Sequence, residues 1–423
     1  RRRRGAVALN LRRLRWCAVG VLVALAACGG GSDTTGSTTV SNVTSVFAAG
    51  GPNVVTMTVT SGPPASTQNV INIPYVSVTV CSSSTSCATI DHVLVDTGSS
   101  GLRLLHSALQ ASGITLTQQT DPANQLDTLA ECLPFAGGYS WGVTASADIR
   151  IGGESASNVP VQVIDDDGSY APAVPKSCKA YGVNETVSSL DANGLLGVSV
   201  LAQDCGIHCA SLANNGRYFS CSASACAPAA APLQNQVVNP ATLFATDNNG
   251  VILQLPAIPA AGAPSATGYL VFGIGTQNNN GLGTATVLAS DNNGEFVTSF
   301  NGQMLSGSFI DSGSNGLYFT DSGLPMCQGS ATQFYCPATT QDLSATNQSQ
   351  TGVLLPTSFS VANVQALSKS NFALDDVAGG LGSNVNLTGN YFDWGLPFFY
   401  GRTVYVAIEG MTAGGSMGPY YAY

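Results

Sequence analysis

Apolar and polar residues alternate along most of the chain. From Asn69 onward, Val70, Ile71, Ile73, Val76, Val78 and Val80 stand among polar neighbours, which is the period of a half-buried strand. Ile90 to Val95 predicts the next strand, and it runs directly into Asp96. The segment from Cys132 to Gly153 reads as a hairpin, with Gly137 and Gly138 supplying a tight tip in the positive-φ region. Val159 to Ile164, Gly268 to Gly273 and Thr403 to Ile408 predict further strands, and Gly194 to Val198 is a short apolar segment between glycines. Asn248-Asn249-Gly250 and Asn292-Asn293-Gly294 have the residues of hairpin turns, pairing LFAT with VILQL and VLAS with EFVTSF. Few stretches carry a helical period, so the expected class is all-β.

Composition sharpens this picture. A chain of 423 residues can bury a large core, most readily in two lobes. Only 9 % of residues are charged against 44 % hydrophobic, and there are 48 glycines, as expected of many strands joined by many turns. The expected division is a leader at 1–27, a flexible tether at 28–65 rich in Gly, Ser, Thr and Pro, an N-terminal lobe at 66–280, and a C-terminal lobe at 281–423. A Cys-rich insertion is expected at 201–232. Seven of the fourteen basic residues lie in the first fifteen positions. Beyond them stand seven basic against twenty-four acidic residues, a formal charge of −17. Such a body repels polyanions, which excludes nucleic acid as an expected partner.

The leader has a basic start and a short apolar run, Trp16 to Ala27. Leu25-Ala26-Ala27-Cys28 resembles the lipobox of bacterial lipoproteins, which implies lipidation of Cys28 and attachment to a membrane. Gly29 after the cysteine resembles the pattern sent to the outer membrane, so the expected location is the bacterial cell envelope, facing the periplasm or the cell surface. In that oxidising setting, ten cysteines remain besides Cys17 and Cys28, enough for five disulfides. Cys81 with Cys87 and Cys327 with Cys336 are local candidates. Cys205, Cys209, Cys221 and Cys226 form a cluster that reads as two bridges, with zinc, aided by His208, as the alternative. Asp165 to Asp167 reads as a solvated turn, with a Ca²⁺ site as the alternative. No metal or other cofactor is expected.

The chemistry is concentrated in a repeated stretch. His92 to Leu104 is HVLVDTGSSGLRL, and Ser308 to Phe319 is SFIDSGSNGLYF. In register they share Asp96/Asp311, Gly98/Gly313, Ser99/Ser314, Gly101/Gly316 and Leu102/Leu317, with the hydroxyl pair Thr97/Ser312 between. Each copy delivers a carboxylate from an apolar strand into a hydroxyl-lined turn. Two carboxylates held close cannot both ionise readily and share a proton. The ionised member can then draw a proton from water while the protonated one polarises a carbonyl.

At these residues the chain resembles the pepsin-like aspartic peptidases, and it also looks like a bacterial lipoprotein family of uncharacterised function with the same motif pair. The resemblance covers roughly residues 69–423. It implies a two-lobed acid-protease fold in which each lobe is a barrel-like sheet. It implies that Asp96 and Asp311 form a catalytic pair, that Thr97 and Ser312 bond across the lobes, and that Ser99 and Ser314 orient the carboxylates. Gly194 to Val198 resembles the segment threaded through the first catalytic loop. The hairpin at 133–152 corresponds to the flap, with Phe135, Tyr139 or Trp141 as the residue over the cleft. The chain departs from the family in three places. Arg103 stands where a Trp is usual, Phe135 stands where the flap usually carries a Tyr, with Tyr139 or Trp141 as substitutes if the tip is shifted, and Asp393-Trp394 stands before Gly395 where an apolar pair is usual. The expected activity is that of a lipid-anchored endopeptidase acting on peptides or unfolded proteins, and the alternative is a non-catalytic binding or structural lipoprotein.

Overall fold

The apolar run that ends at Asp96 becomes the strand Ser86–Asp96, paired antiparallel with Pro74–Ser83. Along Pro74–Ser83, Val76, Val78 and Val80 are buried while Ser77 is exposed, as the period of two requires. These strands belong to a computed structural model that describes residues 51–66, 70–381 and 390–423. Among the described residues, 17 strands join one sheet system, seven join a second, and Thr412–Ala413 pairs with Ser416–Met417 in a ribbon. The fold is all-β and two-lobed. Among the described residues the helices are single turns or little more, the longest being His106–Ala111.

The two motif copies sit at equivalent places in the two sheets. In the first, Gly194–Val198 lies parallel to Ser86–Asp96 and antiparallel to Ser100–Leu105, with Gly197 opposite both Asp96 and Gly101. In the second, Asp393–Trp394 lies parallel to the end of Gln303–Ile310 and antiparallel to Leu317–Tyr318. Glycine is required at both crossings. A Cβ at Gly197 would stand 2.7 Å from the Ser100 carbonyl carbon, and one at Gly395 would stand 2.1 Å from the Gly316 oxygen. A hydrogen bond to the motif serine follows each threading segment, two residues past the crossing glycine in the first lobe and one past it in the second: Ser199 N donates to Ser99 O at 2.9 Å, and Leu396 N donates to Ser314 O at 2.8 Å. Behind the second motif lies an aromatic core. Phe392 stacks on Trp394 with ring centres 4.1 Å apart and on Phe319 at 4.7 Å. That packing fixes the strand carrying Asp393.

Several expectations are corrected. Val54–Val59, assigned from its flanking composition to the tether, is a strand paired with Ala266–Phe272, and Met57 and Val59 are fully buried. Neither Gly137 nor Gly138 has a positive φ. Gly138 is needed for close approach instead, since a Cβ there would stand 2.3 Å from the Val183 oxygen. The LFAT segment is not a strand; a short 3-10 helix, Pro240–Leu243, runs into it. Gly250–Gln254 therefore pairs with Ala266–Phe272 and Thr403–Ala407 rather than with LFAT. Asn292-Asn293-Gly294 does form a turn, but the strands it joins part company. Val287–Ala289 pairs with Tyr420–Ala422 in the large sheet, and Phe296–Phe300 pairs with Gln303–Ile310 in the other. Local turn chemistry set the bend, and long-range burial chose the partners.

Among the described residues there are five disulfides: Cys81–Cys87, Cys132–Cys178, Cys205–Cys209, Cys221–Cys226 and Cys327–Cys336. The four cysteines of the insertion are thus consumed as two bridges, which removes the thiolates a zinc site would need. Cys132–Cys178 was not foreseen as a pair; its halves are 46 residues apart. Cys28 and the leader lie outside the described residues.

Candidate active site

Asp96 and Asp311 face one another across the two sheets. A Cβ on Gly98 would stand 2.7 Å from Asp311 Oδ1, and one on Gly313 would stand 2.7 Å from Asp96 Oδ1 and 3.1 Å from Asp311 Oδ1. Each carboxyl therefore rests on the glycine of the other motif, and both inner oxygens border one spot. The local bonds are duplicated. Gly98 N and Ser99 Oγ donate to Asp96 at 2.7 and 2.5 Å, and Gly313 N and Ser314 Oγ donate to Asp311, each at 2.8 Å.

The intervening hydroxyls clasp the two loops together. Ser312 N donates to Thr97 Oγ1 at 2.9 Å while Thr97 N donates to Ser312 Oγ at 3.1 Å. Thr97 Oγ1 donates onward to Ile310 O at 2.9 Å, and Ser312 Oγ donates to Val95 O at 2.7 Å. Both side chains are fully buried, so every one of these groups depends on its partner in the other lobe. Asp311 is held well above the usual carboxylate range. Burial is the largest cause, followed by the neighbouring charges of Asp96 and Asp393 and by its hydrogen bond to Asp96. This is the electrostatic condition for a pair that shares one proton.

A third carboxyl joins them, one that sequence reasoning noted only as a break in an apolar pair. Asp393 Oδ2 lies 2.7 Å from Ser314 Oγ, the same hydroxyl that lies 2.8 Å from Asp311 Oδ2. A serine has one hydroxyl hydrogen. The second of these contacts must be supplied by a proton on one of the two acids. Burial, with the charge of Asp96 adding to it and the Ser314 hydrogen bond opposing it, pushes Asp393 up to about 8. The signal available in the sequence was an acid at the position where the first lobe has Leu195.

These groups open onto a cavity of about 600 Å³ between the motifs. Of the three flap candidates, Phe135 lines it. Tyr139 and Trp141 do not. They pack with Cys132, Cys178 and Phe219, and Trp141 donates its indole N–H to Pro172 O at 2.8 Å. The hairpin of Asn124–Pro134 and Tyr139–Ile151 is anchored near its tip as well as at its base. Tyr139 N donates to Val183 O at 3.0 Å, Trp141 N donates to Asn184 Oδ1 at 2.8 Å, and Cys132–Cys178 ties the hairpin to the same loop.

Arg103, in place of the usual Trp, is fully buried. It donates to Glu131 Oε1 at 2.8 Å and to Ser100 O at 2.6 Å, and lies 3.5 Å from Asp204 Oδ2. Burial holds Asp204 well above its usual range, with Glu131 adding to it, while Tyr218 donates to its other oxygen at 2.8 Å. Arg103 thus ties the strand after Asp96 to the hairpin through its 2.8 Å pair with Glu131, with Asp204 alongside.

The Asp165–Asp167 turn brings Asp165 and Asp167 together with His106, with ligand atoms within 4.8 Å of one another. Asp167 already bonds His106 Nδ1 at 3.0 Å and Ser169 Oγ at 2.7 Å, and Asp165 accepts from Tyr170 N at 2.8 Å, so the turn is held by its own hydrogen bonds.

Residues 49–423 match the family described as "Protein of unknown function (DUF3443)", and the chain belongs to that family. No curated protein matches it. Among solved structures, an aspartic proteinase from Irpex lacteus aligns over 87 % of this chain and 96 % of its own, at 14 % identity and a TM-score of 0.48.

Proposed function

We propose that this member of the DUF3443 family is an aspartic endopeptidase. The observation that carries the reading is the crossed seating of Asp96 and Asp311, each carboxyl against the other motif's glycine, with the Thr97–Ser312 clasp beneath. With one proton between them, the ionised carboxylate takes a proton from a water held at the shared spot. The water oxygen attacks the peptide carbonyl, and the protonated carboxyl donates a hydrogen bond to that carbonyl as charge develops on it. The resulting tetrahedral carbon collapses with proton transfer to the leaving nitrogen. Ser99 and Ser314 hold the outer oxygens, so the inner ones face the substrate. The substrate is a peptide or an unfolded protein, laid extended beneath Phe135. Lipidation of Cys28 would fasten the enzyme to the envelope membrane, which mass spectrometry of the mature N-terminus tests.

The test of activity is cleavage of a panel of unfolded proteins between about pH 3 and 7, across the range in which a carboxylate pair titrates. Asp96→Asn and Asp311→Asn each abolish it, and a statine-type inhibitor binds the wild type but not these variants. A wild type that cleaves nothing sinks the reading. A second reading, a binding lipoprotein that retains the fold, is favoured by the anchored hairpin: a flap tied at Val183 and Asn184 opens less readily than a free one. It predicts a partner whose binding is indifferent to both Asp substitutions.

A further inference from the structure

The internal repeat supplies its own reference for what is unusual in the cleft. Gly197 and Gly395 occupy the same crossing in the two lobes, so Leu195 corresponds to Asp393 and Leu196 to Trp394. Both Leu195 and Asp393 line the cavity. In the first lobe the threading residue is apolar and Ser99 serves one carboxyl. In the second it is an acid, and Ser314 is shared between two. The symmetric function of the motif does not require this difference.

Asp393 is 5 % exposed, and its Oδ1 has no hydrogen-bond partner. The cavity it lines also takes in Asp96, Asp311, Glu185 and Asp191, and no Lys, Arg or His is among its described lining residues. A buried carboxyl with an unused oxygen, in a cavity of acids without a cation, is a costly arrangement for an empty cleft. It becomes favourable when a cation arrives from outside. We propose that the cleft takes the Lys or Arg side chain of a peptide substrate, and that Asp393 is the carboxyl with which its ammonium or guanidinium pairs. The word "substrate" rests on the endopeptidase reading, whereas the cation site does not. Approach is assisted by the net negative charge of the body, which draws basic segments toward it.

The empty cleft keeps Asp393 protonated through neutral pH because burial, and next to it the charge of Asp96, outweigh the Ser314 hydrogen bond. The titratable groups facing Asp393 are Asp311 through the shared serine, Asp96 across the cleft, and Tyr318 and Tyr391 alongside, none of them cationic. An arriving cation displaces the proton. Binding of a basic peptide therefore releases up to one proton and tightens as pH rises from 5 to 8, whereas binding of a neutral isostere does neither.

The experiment measures binding by calorimetry to the full chain carrying Asp96→Asn, which removes the cutting carboxylate and leaves Asp393 and the rest of the cleft lining in place. Two hexapeptides are used, identical except for Lys or norleucine at one position, scanned along the peptide. At the best position the Lys peptide should bind about tenfold tighter at pH 7, with a heat that changes between buffers of different ionisation enthalpy. Adding Asp393→Asn, or Asp393→Leu to copy the first lobe, should remove both the preference and the buffer dependence. Equal affinity for the two peptides at every position overturns the proposal, as does failure of both to bind, or a preference that survives both substitutions. Wild-type cleavage of the same peptides separates the two claims. Lys-selective binding without any cleavage refutes the endopeptidase and leaves the cation site standing. Cleavage with no preference for Lys or Arg overturns the cation site alone.

Discussion

Replacing Arg103 by Met tests how the Asp96 loop is coupled to the hairpin. The guanidinium is the only cation in contact with Glu131 and Asp204 among the described residues, and all three side chains are at most 1 % exposed. The substitution strands Glu131, 28 residues away on the hairpin strand, and takes from Asp204 the cation 3.5 Å from its Oδ2. It also removes the 2.6 Å donor to Ser100 O, in the strand that follows the Asp96 loop. Breaking a buried pair by removing one partner costs about 3–5 kcal/mol, because a charge is left without compensation. For a body of this size the unfolding entropy is about 0.8 kcal/mol/K, so the expected fall in Tm is roughly 5 °C. The assay is thermal unfolding with the disulfides intact, on Arg103→Met, Glu131→Gln and the double variant. The double variant should recover at least half of the single variant's loss, since neither charge then remains. A loss below about 1 kcal/mol for Arg103→Met, or a double variant no better than the single, would refute this account of the site.

Asp393→Asn should change the pH dependence of stability. Asp393 is pushed up to about 8 in the folded state against an ordinary 3.8, so its contribution to stability is full below pH 4 and is lost as pH rises toward 8. By pH 7 the difference amounts to about 4 kcal/mol at 1.36 kcal/mol per unit. The variant should be the more stable protein at pH 7 by melting temperature, with the gap closing near pH 4; a gap independent of pH would falsify this. Thr97→Val leaves Ile310 O without its donor and Ser312 N without its acceptor, at about 1–3 kcal/mol for each buried group. Unfolding midpoints and cleavage rates should fall together, and a stable but inactive Thr97→Val would show that the clasp serves alignment alone.

The repeated motif and its geometry were legible because both are local. An apolar strand, an Asp, a hydroxyl and a glycine dictate a turn with the carboxyl at its mouth, and two copies dictate a meeting. The threading segment Gly194–Val198 was legible for the same reason: two glycines mark a close crossing. What the pattern could not reveal is set by partners distant in sequence. The strand Val54–Val59 alternates as a strand should, but its flanks of Gly, Thr and Pro concealed it, and only pairing with Ala266–Phe272 gives it a place. Cys132 and Cys178 carry no spacing signal. Arg103 was visible as a departure, yet the acids that explain it, Glu131 on the hairpin strand and Asp204, stand 28 and 101 residues away, and the serine that makes Asp393 part of the site precedes it by 79.

The strands Thr403–Ala407 and Tyr420–Ala422 lie late in the chain but belong to the large sheet, against Gly250–Gln254 and Val287–Ala289. Synthesis reaches them last. Until residue 422 is available, an inner ladder of the first lobe lacks its partners, and the second lobe has been made between its halves. Folding is therefore governed by contacts of high sequence separation, whose chain closure is slow. A nascent chain could present Asp96 long before Asp311, but it would have no closed sheet on which to hold the two against each other. On this topology, competence at the cleft arrives with the whole molecule and not lobe by lobe.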